Sequence, residues 1–221
     1  ILAPAEVLKP LLSVHSQAGA RASLSILLLH RVLRQPDRLL HDEFDAARFD
    51  NVCRWLRDWF VVLPLDEAVQ RLRDGALPAR AAAISFDDGY ADNHDVALPI
   101  LQRHGLSAAF FVATGFLDGG RMFNDSVIEI LRRTTVTELD LRDTVLGDLG
   151  VRQATSIAAR RALIDDLLPR LKPQPGQVRE AFCAQLQRIA GVPSLPDDLM
   201  MSSAQVQALR RSGMVIGAHT V

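Results

Sequence analysis

Short apolar runs alternate with helical patterns through the first half of the chain, and that alternation restricts the fold more than any other feature of the sequence. "SLSILLLHRV" (Ser23–Val32) and "SAAFFVAT" each read as a buried strand, and "FVVLPL" and "AAAISF" as further strands, compact, apolar and bounded by turn-forming residues. Between them, "FDAARFDNVCRWLRDWF" sets Phe49, Val52, Cys53, Leu56 and Trp59 on one helical face. A second helix is expected from Asp66, as N-cap, to Asp74, with Gly75 as its stop. "ADNHDVALPILQRHG" is helical in its second half, with Pro99 in the first turn and Gly105 at the end. Strands that alternate with helices in this way predict an α/β fold built on a parallel sheet.

The rhythm changes after Gly119. Residues 119–198 are predicted to be a mostly helical insertion, with helices in "DSVIEILRR", "IAARRALIDDLLPRL" and "VREAFCAQLQRIAG" and one short extended piece in "TELDLRD". Asp125 is expected as the N-cap of the first of these helices. The β/α pattern then resumes. Ser202 and Gln205 have capping-box spacing, Val206 and Leu209 face the core, Gly213 stops the helix, and "MVIGAHT" is a fifth strand.

Composition narrows the functional classes. The 221 residues carry a net charge of −1 and are 48% hydrophobic, so no basic excess points to nucleic acid. The longest apolar run, "SILLLHRVL", is too short for a membrane span and contains His30 and Arg31. Cys53 and Cys183 lie in helical patterns and read as small buried residues rather than a disulfide or a metal pair. They leave the compartment open between cytoplasm and periplasm or cell envelope. The chain starts at Ile1 rather than Met, and both ends read as trimmed.

In parallel β/α folds the chemistry gathers where strands end. Three of the expected strands end in groups of interest, namely His30, the pair Asp87 and Asp88, and His219. Successive strand residues face opposite ways, so both carboxylates reach one mouth only if the strand stops there and Gly89 permits a sharp turn. Adjacent carboxylates repel, and a divalent cation relieves the repulsion. Asp and His together suit zinc or another first-row metal. Read singly, each has a structural explanation: "DDG" as a strand-to-helix turn with an N-cap, and each histidine as a hydrogen-bonded strand end. Together at strand ends they favour a site.

"ISFDDGYADN" resembles the first motif of the polysaccharide deacetylases (the NodB-homology family, carbohydrate esterase family four), Ser/Thr-Phe-Asp-Asp-Gly. The family's second motif is His-Ser/Thr-x-x-His after an apolar-Gly-x lead, and "IGAHTV" matches its first three positions. "LLLHRV" and "FFVATGFLDGG" are similar to further segments of the family. The resemblance implies a distorted (β/α)7 barrel whose carboxyl-terminal part is absent, so that residues 1–221 form one incomplete domain carrying the 119–198 insertion. It implies Asp88 and His219 as metal ligands, a third ligand at position 223, and Asp87 as general base. It also puts a proton-donating histidine in later motifs. The metal would be zinc, with cobalt or nickel as the other candidates. The implied activity is hydrolysis of N-acetyl groups in a polysaccharide or other glycan, with Thr220, His30 and Asn124 as substrate-side residues. The alternative is a catalytically silent glycan-binding or assembly protein on the same fold. An aspartate-nucleophile phosphatase is rejected, because that chemistry spaces its two carboxylates by one residue. With two ligands the chain alone is expected to be weakly active or inactive. The insertion is expected to cover the mouth and shape substrate choice.

Overall fold

The computed structural model of the chain describes Val14 and residues 16–220. They divide into two compact units. One holds the chain up to Asp37, Asp42–Gly119 and the chain from Asp198, and the other holds Arg38–His41 and Gly120–Asp197. In chain order the strands among the described residues are β1 (Ser25–Leu29), β2 (Val32–Leu33), β3 (Phe44–Asp45), β4 (Val61–Val62), β5 (Ala81–Phe86), β6 (Ala109–Ala113), β7 (Glu138–Asp140), β8 (Val151–Gln153) and β9 (Val215–His219).

The first unit is built around β5. It pairs in parallel with β1 from Ser25↔Ala82 to Leu29↔Phe86, with β4 at its start and with β6 at its end. Strand β6 pairs in turn with β9, from Ala109↔Val215 to Ala113↔His219. The order β1-β5-β6-β9 is parallel throughout, so every carboxyl end lies on the same edge. Helices Ala46–Trp59, Leu98–His104 and Ser203–Arg211 cover one face of this sheet. They bring Phe49, Cys53, Leu101 and Leu209 against Leu29, Ile84, Phe86, Phe110 and Val112. At the centre the Phe86 and Phe110 rings stack at 4.9 Å, and Phe49 meets Phe86 edge-on at 5.8 Å.

One expectation changes here. β1 is not buried on both faces: Leu29 enters the core while Ile26 and Leu28 are 51% and 53% exposed on the opposite side. Among the described residues the sheet is open, since β1 and β9 each pair with one strand only within it.

Local signals placed the helices well, with shifts of one turn or less. Asp45 accepts from the Arg48 N–H and caps Ala46–Trp59. Trp55 of that helix is exposed and stacks on Trp59. The second helix spans Leu65–Arg73 with Pro64 at the N-cap, so Asp66 lies in the first turn, where the macrodipole favours its charge, and is not the cap. Gly105 ends Leu98–His104 at φ +66°, the left-handed stop expected of a glycine. A π-helical turn, Asn93–Ala97, precedes that helix. Ser202 and Gln205 form the full capping box of Ser203–Arg211.

In the second unit, helices Phe123–Arg133, Ile157–Leu171 and Gly176–Ile189 enclose Leu131, Leu139, Leu167, Phe182 and Leu186. The extended piece in "TELDLRD" is β7, and its antiparallel partner β8 had no clear sequence signal. Asp125 is not an N-cap. Its helix starts at Phe123 with Met122 at the cap, which leaves Asp125 buried in the first turn.

Candidate active site

The aspartate pair sits in a turn that only a few residue types accommodate. The Asp87 N–H still donates to the Leu29 carbonyl at 2.9 Å, extending the β1–β5 ladder by one bond. Asp88 then enters the left-handed region at φ +73° and Gly89 follows at φ +85°. Asp tolerates that region through its short polar side chain, and glycine adopts it freely. Gly89 has a second constraint, because a Cβ there would lie 2.9 Å from Val112 Cγ1. The turn is held from outside by Ala113 N–H donating to the Asp88 carbonyl, 3.1 Å, and Met201 N–H donating to the Gly89 carbonyl, 2.9 Å.

Leaving the strand this way turns both carboxylates toward the end of β9. Asp87 Oδ2 lies 3.9 Å from His219 Nε2, and Asp88 Oδ1 lies 3.9 Å from His219 Nδ1. The two aspartate side chains are 19% exposed and the imidazole 35%, so the group is recessed but open to solvent. His219 Nδ1 is also 3.4 Å from the Thr220 carbonyl oxygen. Two residues before it, Gly217 is required by packing, since a Cβ there would meet the Phe111 ring at 2.5 Å.

By donor type, Asp88 and His219 suit a divalent metal of the zinc class. Two donors on a tetrahedral metal stand about 3.4 Å apart, and the 3.9 Å seen here is slightly wider. Among the described residues no group of three His, Cys, Asp or Glu side chains converges closely enough to hold an ion. A metal placed there would find two donors in this pair, with Asp87 beside them.

The remaining candidates fall in different places. His30 follows β1, whose last residue pairs with Phe86, so it leaves the sheet alongside Asp87 and is exposed. Thr220 follows His219 and is exposed. Asn124 lies in the second unit, in the first turn of Phe123–Arg133. Sequence reasoning missed Thr114, exposed at the end of β6 beside the end of β9. It also missed the set Arg31, Glu43, Tyr90, Asp92 and Asn93 around His30, whose one available signal was "ADN" directly after "DDGY". Burial pushes the carboxyl groups of both Glu43 and Asp92 up from the usual carboxylate range. Nearby positive charge opposes that, from His30 and Arg31 at Glu43 and from Arg31 at Asp92.

Residues 74–139 match the family model for polysaccharide deacetylases. The matched segment includes Asp87, Asp88 and Asn124, and excludes His30, His219 and Thr220. Over 98 residues the chain is 31% identical to YxkH of Bacillus subtilis (strain 168), whose name is that of a polysaccharide deacetylase; the match takes in 41% of this chain and 32% of the relative. Among solved structures it is similar to a de-N-acetylase from Aggregatibacter actinomycetemcomitans, at 18% identity and a TM-score of 0.48, over 89% of this chain and 54% of that one. IcaB from Ammonifex degensii is similar at 17% identity and a TM-score of 0.38, over 89% of this chain and 98% of that one. The chain thus spans about a third of the curated relative and about half of the first of these structures.

Proposed function

From the match of residues 74–139 to the polysaccharide deacetylase family model, we propose that the chain carries part of the machinery for metal-dependent removal of N-acetyl groups from amino sugars in a glycan. The observation that carries this reading is the turn at Asp87-Asp88-Gly89, which aims two carboxylates at one imidazole at the shared carboxyl edge of parallel strands. Asp88 and His219 would hold the metal, zinc in first place and cobalt or nickel after it. A bound ion of this class lowers the pKa of water and polarises an acyl oxygen. Asp87 would be free of that duty and would accept the proton of the attacking water. Water adds to the acetamide carbonyl, the C–N bond breaks as the leaving nitrogen takes up a proton, and acetate and the sugar amine leave. His30 and Thr220 flank the site on neighbouring chain segments as substrate contacts. The proposal keeps the distorted (β/α)7 barrel as the fold to which this parallel sheet would belong.

The test pairs metal content with amine release from an N-acetylglucosamine oligosaccharide. The reading expects weak but detectable amine release, as two protein ligands allow, which a chelator abolishes and added zinc restores. Asp87→Asn should lower turnover by about 10²–10⁴-fold with metal content unchanged, whereas Asp88→Asn should lose the metal itself. Binding of the oligosaccharide with no amine release under any metal would replace this reading with that of a silent glycan-binding protein.

A further inference from the structure

Three successive residues after β1 have their main-chain polar groups taken by side chains from other segments. The His30 carbonyl accepts from Asn93 Nδ2 at 2.9 Å. The Arg31 N–H donates to the Glu43 carboxylate. The Val32 N–H donates to Asp92 Oδ1 at 3.2 Å. The Arg31 side chain is drawn into the same set, with Nε donating to Asp92 Oδ2 at 2.8 Å and a terminal nitrogen at 2.8 Å from the same oxygen. Its guanidinium lies over the Tyr90 ring, 4.4 Å from the centroid. Asp92 and Asn93 follow the aspartate turn by only a few residues, so this set ties the His30 segment to the segment that carries Asp87 and Asp88.

Stability alone does not account for such a set. Asn93 is fully buried and, among the described residues, its Oδ1 has no hydrogen-bond partner. Reversing the amide would aim that oxygen at the His30 carbonyl and at Asp92 Oδ1, 3.4 Å away, so the orientation is fixed by its surroundings. A core amide with an unsatisfied acceptor carries a desolvation cost, set against the bonds its Nδ2 gives the His30 carbonyl and Asp92. The Arg31–Asp92 pair is 13% and 12% exposed, a depth at which ion pairs contribute little net stability and much geometric definition. What they define is the course of the chain at His30.

We propose that Asp92 and Asn93 are positioning residues, which clamp residues 30–32 so that the His30 imidazole is held at the mouth beside the Asp87 strand end as a substrate contact. This rests on the deacetylase reading for what His30 touches, but the clamp can be tested without it. Asn93→Leu removes the donor to the His30 carbonyl. Asp92→Asn keeps the shape and the acceptor for Val32 while releasing Arg31. In each variant the ring cross-peak of His30 and the hydrogen exchange of the Val32 amide are measured by NMR, with the His104 ring as the reference for an intact core. The clamp predicts a shifted or broadened His30 peak in both, Val32 exchange at least about tenfold faster in Asn93→Leu, and an unchanged His104 peak. If Asn93→Leu fails to fold, the isosteric Asp92→Asn decides. An unmoved His30 peak and unchanged Val32 exchange in a folded variant would overturn the proposal. In amine release from the N-acetylglucosamine oligosaccharide, the kcat/KM losses of Asn93→Leu and His30→Asn should be non-additive, as for groups acting through one another. Fully additive losses would likewise overturn it. A wild-type chain that releases no amine would count against the deacetylase reading and leave the NMR outcome to decide the clamp.

Discussion

At the scale of single residues, the site depends on two glycines as much as on its carboxylates. Gly89 combines φ +85° with a Cβ position 2.9 Å from Val112 Cγ1, so any side chain there meets both backbone strain and a β-branched neighbour that cannot swing away. Gly89→Ala is expected to lower stability by about 1–3 kcal/mol and to displace the Asp88 carboxylate, which urea denaturation and metal titration would show together. Gly217 differs in kind: its φ is ordinary, and the obstacle is the Phe111 ring. Gly217→Ala should therefore be relieved by Phe111→Leu, whereas Gly89→Ala should be relieved only in part by Val112→Ala, because the backbone conformation remains. A double-mutant cycle in urea midpoints separates the two cases. An equal rescue at both positions would contradict this account of Gly89.

At the scale of elements, capping and periodicity were legible and burial was less so. The capping box at Ser202 and Gln205 could be read directly and is fully formed, and this helix leads directly into the strand that carries His219. Ser202→Ala should cost about 1 kcal/mol, measurable as a lower urea midpoint with unchanged slope; no change would mean that Asp118, which accepts from the Ser203 N–H and hydroxyl, is sufficient to cap the helix start. The five strands of the main sheet were all visible as apolar runs, and their parallel order brought the three predicted strand ends to one edge. What was not legible has a physical cause in each instance. An apolar run has no marker for which of its faces will be covered, so Ile26 and Leu28 read as core although they are exposed. β8 is three residues long, too short for any period to show. The Arg31–Asp92–Asn93 set joins residues about 60 positions apart, and a single sequence has no signal for a contact at that separation.

At the scale of the whole molecule, the balance of ionisable groups makes the alkaline limb of stability more readable than the acid limb. On the acid side opposing effects overlap. Asp50 is held below the usual range, first by its hydrogen bond with His104, and Asp140 is held at about 2, first by its hydrogen bond with Arg142. Their contributions are present at neutral pH and fade as pH falls. Glu43 and Asp92 are pushed up by burial, so theirs are full at low pH and fade as pH rises through their folded-state values. On the alkaline side the chain has a single tyrosine and two lysines, Lys9 and Lys172, to obscure the titration. Burial pushes the Cys53 thiol up to about 12 and that of Cys183 up to about 11, from an ordinary value of 9.0. The unfolded chain releases both protons near 9 while the folded chain retains them. Stability is therefore intact below about 9 and declines as pH rises toward 11 and 12, with a slope approaching one proton per thiol. Urea midpoints measured at successive pH values from 8 to 11, an illustrative range of about three units within which both thiols diverge from the unfolded chain, should fall in the wild type and fall less in Cys53→Ala. Both thiols should also resist alkylation near neutral pH until denaturant is added, since the reactive thiolate is suppressed in each. Rapid labelling of Cys53 in the native chain would show that the core around Phe49 and Leu101 opens more readily than its packing implies.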